Sequence, residues 1–350
     1  MTAAGGVPPR SIDLALQGGG SHGAFTWGVL DALLEDGSLS FSGISGTSAG
    51  ALNAAVLATG LAKGGNAGAR EALRAFWRDV SRAGDCFGGL QPATLPGWPA
   101  VGLPEWPAWA WTPQALWSAW ARSFSPYQIN PFGLDPLRDV VARHVDAAAI
   151  ARARPALFII ATSVHTGQPR VFSGESLTLD ALMASACLPH LFRAVTIDGE
   201  PYWDGGYSGN PALWPLIYET VEADLLLVKI QPLVRAATPQ TALEIADRAS
   251  EIGFNAALVS EMRAIAFVKR LIAEHRIDRG SYKDLRLHMI ADEEELGALK
   301  AASKLDTTWP FIESLFGMGR LAAERWVKAH RASVGVGSSL DIEKMFLARK

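Results

Sequence analysis

Cysteine is scarce in this sequence, since only Cys86 and Cys187 occur in 350 residues. The two lie far apart and lack the spacing of metal ligands, so nothing indicates a disulfide framework or a zinc site. A reducing compartment is expected.

An excess of charge of either sign is also absent. Charged residues make up 19% of the chain, the formal net charge is −3, and no long run of like charges occurs. Nucleic-acid binding requires a basic surface, so it is disfavoured as a function.

Long apolar runs are missing as well. No stretch reaches the ~18 residues that a membrane-spanning helix needs, and the N-terminus lacks the charged and apolar regions of a signal peptide. We therefore expect a cytoplasmic protein, with peripheral contact at the inner membrane surface left open. Hydrophobic residues, at 49%, suffice for the core of one large α/β domain or two modest ones.

Strand and helix patterns alternate from residue 12 onward. The apolar run 12–16 predicts a buried strand, followed by a glycine turn and a helix over 23–36. A second strand over 41–45 leads into another helix, and two consecutive strand–turn–helix units predict a parallel sheet. Later patterns predict strands over 156–164, 224–230 and 284–291 and helices over 70–82, 136–144, 179–186, 239–275 and 309–330.

The composition suggests two parts of the chain. Residues 10–235 are predicted to form the main domain, interrupted at 85–132 by an insertion rich in tryptophan and proline. Residues 236–350 are predicted to form a mostly helical C-terminal extension, whose strand at 284–291 could complete the first sheet.

The loop after the first strand allows two interpretations. Gly18, Gly20 and Gly23 match G-x-G-x-x-G, which occurs in dinucleotide-binding turns, but a lone match is weak evidence. Dinucleotide binding also predicts an acidic residue at the end of the second strand, and residues 43–46 contain none.

A second motif favours hydrolase chemistry. Gly46-Thr47-Ser48-Ala49-Gly50 is a G-x-S-x-G sequence at a strand-to-helix turn, the setting of a nucleophile elbow. Gly46 and Gly50 avoid clashes around a strained serine, and the helix N-terminus favours developing negative charge at Ser48.

The glycine loop then has a function that needs no nucleotide. A serine nucleophile needs hydrogen-bond donors for the oxyanion of the tetrahedral intermediate. If the first two strands are neighbours, the backbone N–H groups of Gly19, Gly20 and Ser21 are the predicted oxyanion hole.

Four sequence blocks together resemble the patatin-like phospholipase family. They are the glycine loop, the Ser48 motif, the serine-to-proline stretch 184–189 and Asp204-Gly205-Gly206 after an aromatic run. The resemblance implies an α/β three-layer sandwich with a mainly parallel central sheet flanked by helices. It also implies a Ser-Asp dyad of Ser48 and Asp204 that cleaves lipid esters, of phospholipid or lysophospholipid, through an acyl-serine intermediate.

Such a dyad requires no metal and no cofactor, but it requires an unusual carboxyl group. The ordinary pKa of Asp is ~3.9, so Asp204 would be a weak base unless burial raised its pKa. We therefore expect Asp204 to be shielded from water and within reach of the Ser48 hydroxyl.

A histidine base is the alternative within the same chemistry. A Ser–Asp–His chain order would need His275, His288 or His330. The first lies in a charged helix end and the second in the middle of a predicted strand, so neither follows a strand in a loop. His22 and His190 could line the site, although an ordinary surface or hydrogen-bonded role fits both.

Other functions and partners stay open. The same machinery would also cleave other acyl esters, thioesters or polyhydroxyalkanoate oligomers. The insertion contains six of the twelve tryptophans and could form a cap for acyl chains or a lipid-surface contact, or its rings could simply pack together. A non-catalytic protein could use the insertion and the C-terminal helices to bind a partner or a second copy.

Overall fold

The computed structural model describes residues 8–87, 125–130, 133–151, 154–235, 237–278, 282–299 and 301–347. The six tryptophans of the predicted insertion lie outside the described residues. The predicted cap or lipid-surface contact, and the alternative that the rings pack together, both concern these residues.

One central sheet of eight strands organises the described chain. The strands are β1 (Arg10–Leu16), β2 (Leu39–Thr47), β3 (Ala156–Ser163), β4 (Pro169–Phe172), β5 (Val195–Ile197), β6 (Glu200–Asp204), β7 (Asp224–Val228) and β8 (Arg286–Ile290). Their spatial order is β5-β6-β3-β2-β1-β7-β8, with β4 also paired to β3. The five strands from β3 to β8 in this order run parallel, whereas β4 and β6 are antiparallel to β3 and β5 is antiparallel to β6.

Helices cover the sheet. They are α1 (Gly23–Asp36), α2 (Ala49–Phe87), α3 (Pro126–Ile129), α4 (Pro136–His144), α5 (Ala147–Ile150), α6 (Leu179–Ser185), α7 (Trp214–Glu219), α8 (Ala242–Ala273), α9 (Glu293–Ala298) and α10 (Trp309–His330). Helix α2 is kinked at Gly64 and Gly65, whose backbone angles are not helical. None of the described helices combines the length and the apolar character that a bilayer crossing requires.

The central strands β1 and β7 are mostly apolar, and residues of both faces pack into the apolar core. All five residues of β7 and the last five residues of β1 are buried. Strands buried on both faces form continuous apolar runs instead of an alternating pattern. The predicted α/β sandwich with a mainly parallel sheet is thus confirmed, and its antiparallel edge around β3 is an addition to the prediction.

Residues after 235 pack against this same sheet and core. Strand β8 extends the sheet beside β7, and helix α10 lies along α1. Side chains of α10 join the apolar cluster that also contains β1 and α1. We propose that residues 236–350 complete the domain that begins at residue 10.

Close packing between α1 and α10 depends on two glycines. A Cβ atom on Gly28 would lie 2.1 Å from the carbonyl oxygen of Phe316, and one on Gly319 would lie 2.0 Å from that of Phe25. Residues 23–34 of α1 are all buried, which a helix between two layers requires. The two helix backbones therefore approach too closely for any side chain at these positions.

We expect Gly28→Ala to lower the free energy of unfolding by about 1–3 kcal/mol, because its methyl group must push the two backbones apart. The matched control is Gly317→Ala in α10, where an added Cβ meets no atom within 4 Å. That substitution should leave stability unchanged or raise it by up to about 1 kcal/mol through helix propensity. Urea denaturation of both variants measures the difference, and equal stability would contradict the close helix contact.

Candidate active site

Ser48 lies on a strained turn between β2 and α2. Its φ is 54°, a left-handed conformation that is rare for residues other than glycine. A Cβ on Gly46 would lie 2.9 Å from the Cα of Ala51, and one on Gly50 would lie 2.2 Å from the carbonyl oxygen of Leu16. Both glycines of the motif are therefore required by close backbone contacts, as the elbow interpretation predicts.

The glycine loop after β1 lies directly against this turn, because β1 and β2 are parallel neighbours. A Cβ on Gly18 would lie 2.7 Å from the Cβ of Ser48. A Cβ on Gly23 would lie 2.6 Å from the Cβ of Ala49. The structure thus brings the two predicted motifs into contact.

Gly19, Gly20 and Ser21 form the start of the turn that leads into α1. The first N–H groups of a helical segment have no partner within the segment. The N–H groups of these three residues likewise have no acceptor in the described part of the chain. Gly20 has a φ of 61°, and a Cβ there would lie 2.3 Å from the carbonyl oxygen of Lys304.

Asp204 reaches Ser48 through the strand between them. It ends β6, where it is paired with Ala161 of β3, and the adjacent Ile160 is paired with Thr47 of β2. A Cβ on Gly205 would lie 2.1 Å from the Ile160 carbonyl oxygen, so the turn after Asp204 presses against β3. The register of three strands therefore brings together residues that are remote in the sequence.

The carboxyl group of Asp204 is fully buried, and burial raises its pKa to about 6. The Ser48 hydroxyl and the Gly206 N–H, which donates to Oδ1 at 2.7 Å, both lower the pKa and offset part of this rise. Oδ2 is buried, and no partner in the described residues meets full hydrogen-bond geometry with it. Both lone pairs of Oδ2 are therefore free to accept a proton.

One further glycine and one serine shape the site. A Cβ on Gly206 would lie 2.2 Å from the ring of Phe254, so α8 packs directly on the turn after Asp204. Ser185, the last residue of α6, accepts a hydrogen bond from the Ser48 N–H at 2.9 Å. The serine of the stretch 184–189 thus fixes the Ser48 turn, a contact that the sequence did not reveal.

No histidine in the described residues hydrogen-bonds Ser48. The ring of His22 contacts the Ser303 hydroxyl at 2.8 Å, and burial lowers its pKa to about 4, so this ring is neutral at pH 7. His190 is exposed. The described residues also contain no group of three or more side chains placed to hold a metal ion.

A serine–histidine–aspartate arrangement lies elsewhere in the fold. The His288 ring contacts Asp224 Oδ1 at 3.1 Å and Ser339 Oγ at 2.9 Å. Asp224 begins β7 and therefore lies at the amino ends of the parallel strands, whereas Ser48 lies at their carboxyl ends. Its oxygens also accept hydrogen bonds from Arg286 and from the Gly335 N–H. This buried cluster fastens the chain after α10 to the sheet.

Three amides near the glycine loop escaped the sequence analysis. They are Gln17, which follows β1, Asn210, which follows the Asp204 turn, and Gln231, which follows β7. All three are buried and hydrogen-bonded to backbone. Polar residues at the carboxyl ends of parallel strands are the signal that could have identified Gln17 and Gln231.

A family model described as patatin-like phospholipase matches residues 14–217, a range that contains Gly19, Ser48 and Asp204. The chain matches none of the curated proteins.

Two solved structures are similar to the chain at low sequence identity. VipD from Legionella pneumophila has 13% identity and a TM-score of 0.36, with 97% of this chain and 73% of VipD covered. ExoU from Pseudomonas aeruginosa, solved in a heterodimeric complex with SpcU, has 17% identity and a TM-score of 0.34. That match covers 92% of this chain, which spans only 52% of the ExoU chain. Since the family model covers more than half of the sequence, the chain belongs to the patatin-like phospholipase family.

Proposed function

We propose that the protein is a serine acyl hydrolase in which Ser48 is the nucleophile and Asp204 is its base. The observation that supports this best is the pairing of a serine at a left-handed turn with a fully buried carboxyl group whose pKa burial raises to about 6. Family membership favours lipid esters as the substrate class, with phospholipid or lysophospholipid first.

The acylation step uses both carboxyl oxygens of Asp204. Ser48 Oγ attacks the ester carbonyl carbon while its proton moves to Oδ2, and Oδ1 stays hydrogen-bonded to the Gly206 N–H. The oxyanion accepts hydrogen bonds from the amides of residues 19–21. When the C–O bond breaks, the protonated Asp204 returns the proton to the leaving alcohol, and an acyl-serine remains.

Water then completes the cycle. Asp204, again a carboxylate, accepts a proton from water as the water oxygen attacks the acyl carbon, and the second oxyanion uses the same amides. Collapse releases the fatty acid and returns the proton to Ser48. The N-terminus of α2 favours the negative charge that develops in both steps.

The environment of Asp204 is compatible with this role. A carboxylate with a pKa near 6 is a stronger base than an exposed one, yet it is mostly ionised at pH 7.

We expect Ser48→Ala and Asp204→Asn to lower kcat for a p-nitrophenyl acyl ester by at least about a thousandfold, because each removes one partner of the proton transfer. Ser48→Ala should also abolish labelling by a fluorophosphonate probe, which reacts with activated serines. The matched controls are the exposed Ser176→Ala and Asp198→Asn. Wild-type protein that is neither labelled nor active on any ester would favour the non-catalytic interpretation.

The substrate class needs a separate measurement. Mixed phospholipid and lysophospholipid vesicles incubated with the protein should yield free fatty acids, detected by mass spectrometry, and Ser48→Ala should yield none. Equal turnover of soluble thioesters or polyester oligomers without lipid turnover would contradict the phospholipid assignment and leave the dyad intact.

We expect the pH dependence of kcat/KM to report the Asp204 carboxyl. Because the base must be ionised, the rate should rise about tenfold per pH unit below pH 6 and level off above it. Glu261, whose pKa burial raises to about 7, provides the control, since it caps the backbone N–H groups of Leu213 and Trp214 instead of contacting Ser48. Glu261→Gln should keep the same acid limb, and an acid limb that moves with Glu261 would argue against Asp204.

A further inference from the structure

Two buried amide side chains hold the peptide unit that joins Gly18 to Gly19. The Gly18 carbonyl oxygen accepts from Gln231 Nε2 at 3.0 Å and from Asn210 Nδ2 at 3.3 Å. Asn210 Oδ1 also accepts from the Gly18 N–H at 2.7 Å. Gln231 and Asn210 are at most 2% exposed, so water does not compete for these bonds.

The anchored carbonyl sets the direction of the next N–H group. The Gly18–Gly19 peptide is trans, and in a trans peptide the C=O and the following N–H point in opposite directions. Fixing the Gly18 oxygen on the Gln231 side therefore fixes the Gly19 N–H on the other side. Three consecutive glycines have little conformational preference of their own, so this direction must come from outside the loop.

Gln231 is itself oriented from the C-terminal part of the chain. The Lys304 ammonium group donates to Gln231 Oε1 at 2.7 Å. Lysine can only donate, so this contact selects the amide orientation in which Nε2 faces the Gly18 oxygen. The Gln231 backbone N–H donates in turn to Gln17 Oε1 at 2.7 Å, which fixes the start of the Gln231 side chain.

Lys304 also restrains the loop directly. It belongs to the turn Ala301–Leu305, and its carbonyl oxygen lies so close to Gly20 that a Cβ there would be 2.3 Å away. Its side chain thus orients Gln231 while its backbone packs on the next residue of the loop.

We propose that Gln231, oriented by Lys304, is a positioning residue that aims the Gly19 N–H at the oxyanion. This inference rests on the proposed hydrolase function and assigns to the C-terminal segment a part in transition-state stabilisation. Gln231 touches neither substrate nor Ser48 in this role, and it acts only through the Gly18–Gly19 peptide.

Gln231→Leu tests the inference, because leucine fills similar volume and cannot donate to Gly18. We expect kcat to fall about tenfold to a hundredfold, as for a partly misplaced oxyanion donor, with KM within about twofold of wild type. Lys304→Met should lower kcat less, by about threefold to tenfold, because the Gln231 amide can then rotate so that its oxygen faces Gly18 in part of the molecules. In the double variant the two losses should not multiply, since both act through one hydrogen bond. Exposed Gln240→Leu is the matched control.

Inhibitor binding separates positioning from general structural damage. A long-chain trifluoromethyl ketone forms a tetrahedral oxyanion with the serine, whereas the matching alkyl ether occupies the site without one. Gln231→Leu should weaken the ketone by the same factor as kcat/KM and leave the ether affinity unchanged. Equal weakening of both inhibitors, or an unchanged kcat, would overturn the inference.

Three outcomes need their own interpretation. If Gln231→Leu fails to fold, Lys304→Met decides the question, and an unchanged kcat with unchanged Tm in that variant overturns the inference. Wild-type protein that hydrolyses no ester and is not labelled by a fluorophosphonate overturns the proposed function and this inference together. Active wild-type protein with an unaffected Gln231→Leu variant overturns the inference alone.

Discussion

The burial of one carboxyl group beside one hydroxyl is the interaction on which the site depends. Raising the pKa of Asp204 from 3.8 to about 6 disfavours its ionised form by about 3 kcal/mol relative to the unfolded chain. Because the folded-state pKa is the higher one, this group favours the folded state most at a pH below its unfolded value of 3.8. The advantage of about 3 kcal/mol is lost as pH rises from there through about 6. At neutral pH the fold thus retains a destabilising charge, which is the state that a general base requires.

The pairing of three strands in the sheet places this carboxyl group beside this hydroxyl. Thr47 and Ile160 are paired across β2 and β3, and Ala161 and Asp204 are paired across β3 and β6. A register slip of one residue would move a side chain to the other face of the sheet. The short antiparallel strand β6 is therefore as important to the site as the central parallel strands, although it contributes little to the core.

The elements that the sequence predicted correctly are those whose signals lie close together in the chain. The helix over 23–36 was predicted at its observed bounds, because Gly23–Asp36 is apolar along its length and ends at Gly37 in a left-handed cap. The Ser48 turn was predicted because its glycines and its serine are adjacent in the chain. Strands β4 and β5 were missed, since they are only four and three residues long and partly exposed, with no clear periodicity.

The remaining features of the site depend on contacts between residues that are far apart in the sequence. Asp204 was identified through family resemblance, because no periodicity connects it to Ser48. Ser185, Gln231 and Lys304 acquire their roles only where strand ends and loops meet in space. Single polar residues in loops are common in any sequence, so their pairing needs the fold to be known.

Three glycines of this protein are required by close contacts with residues far along the chain. The Cβ position of Gly206 is occupied by the ring of Phe254, that of Gly20 by the Lys304 carbonyl and that of Gly28 by the Phe316 carbonyl. In all three cases the contacting residue lies after residue 235, whereas the glycine lies inside the family-matched range 14–217. A surface that evolved to face water would not need to exclude a methyl group at these points. Two glycines of the predicted motifs, Gly20 and Gly206, therefore fit against residues after 235, in agreement with the proposal that these residues complete the same domain.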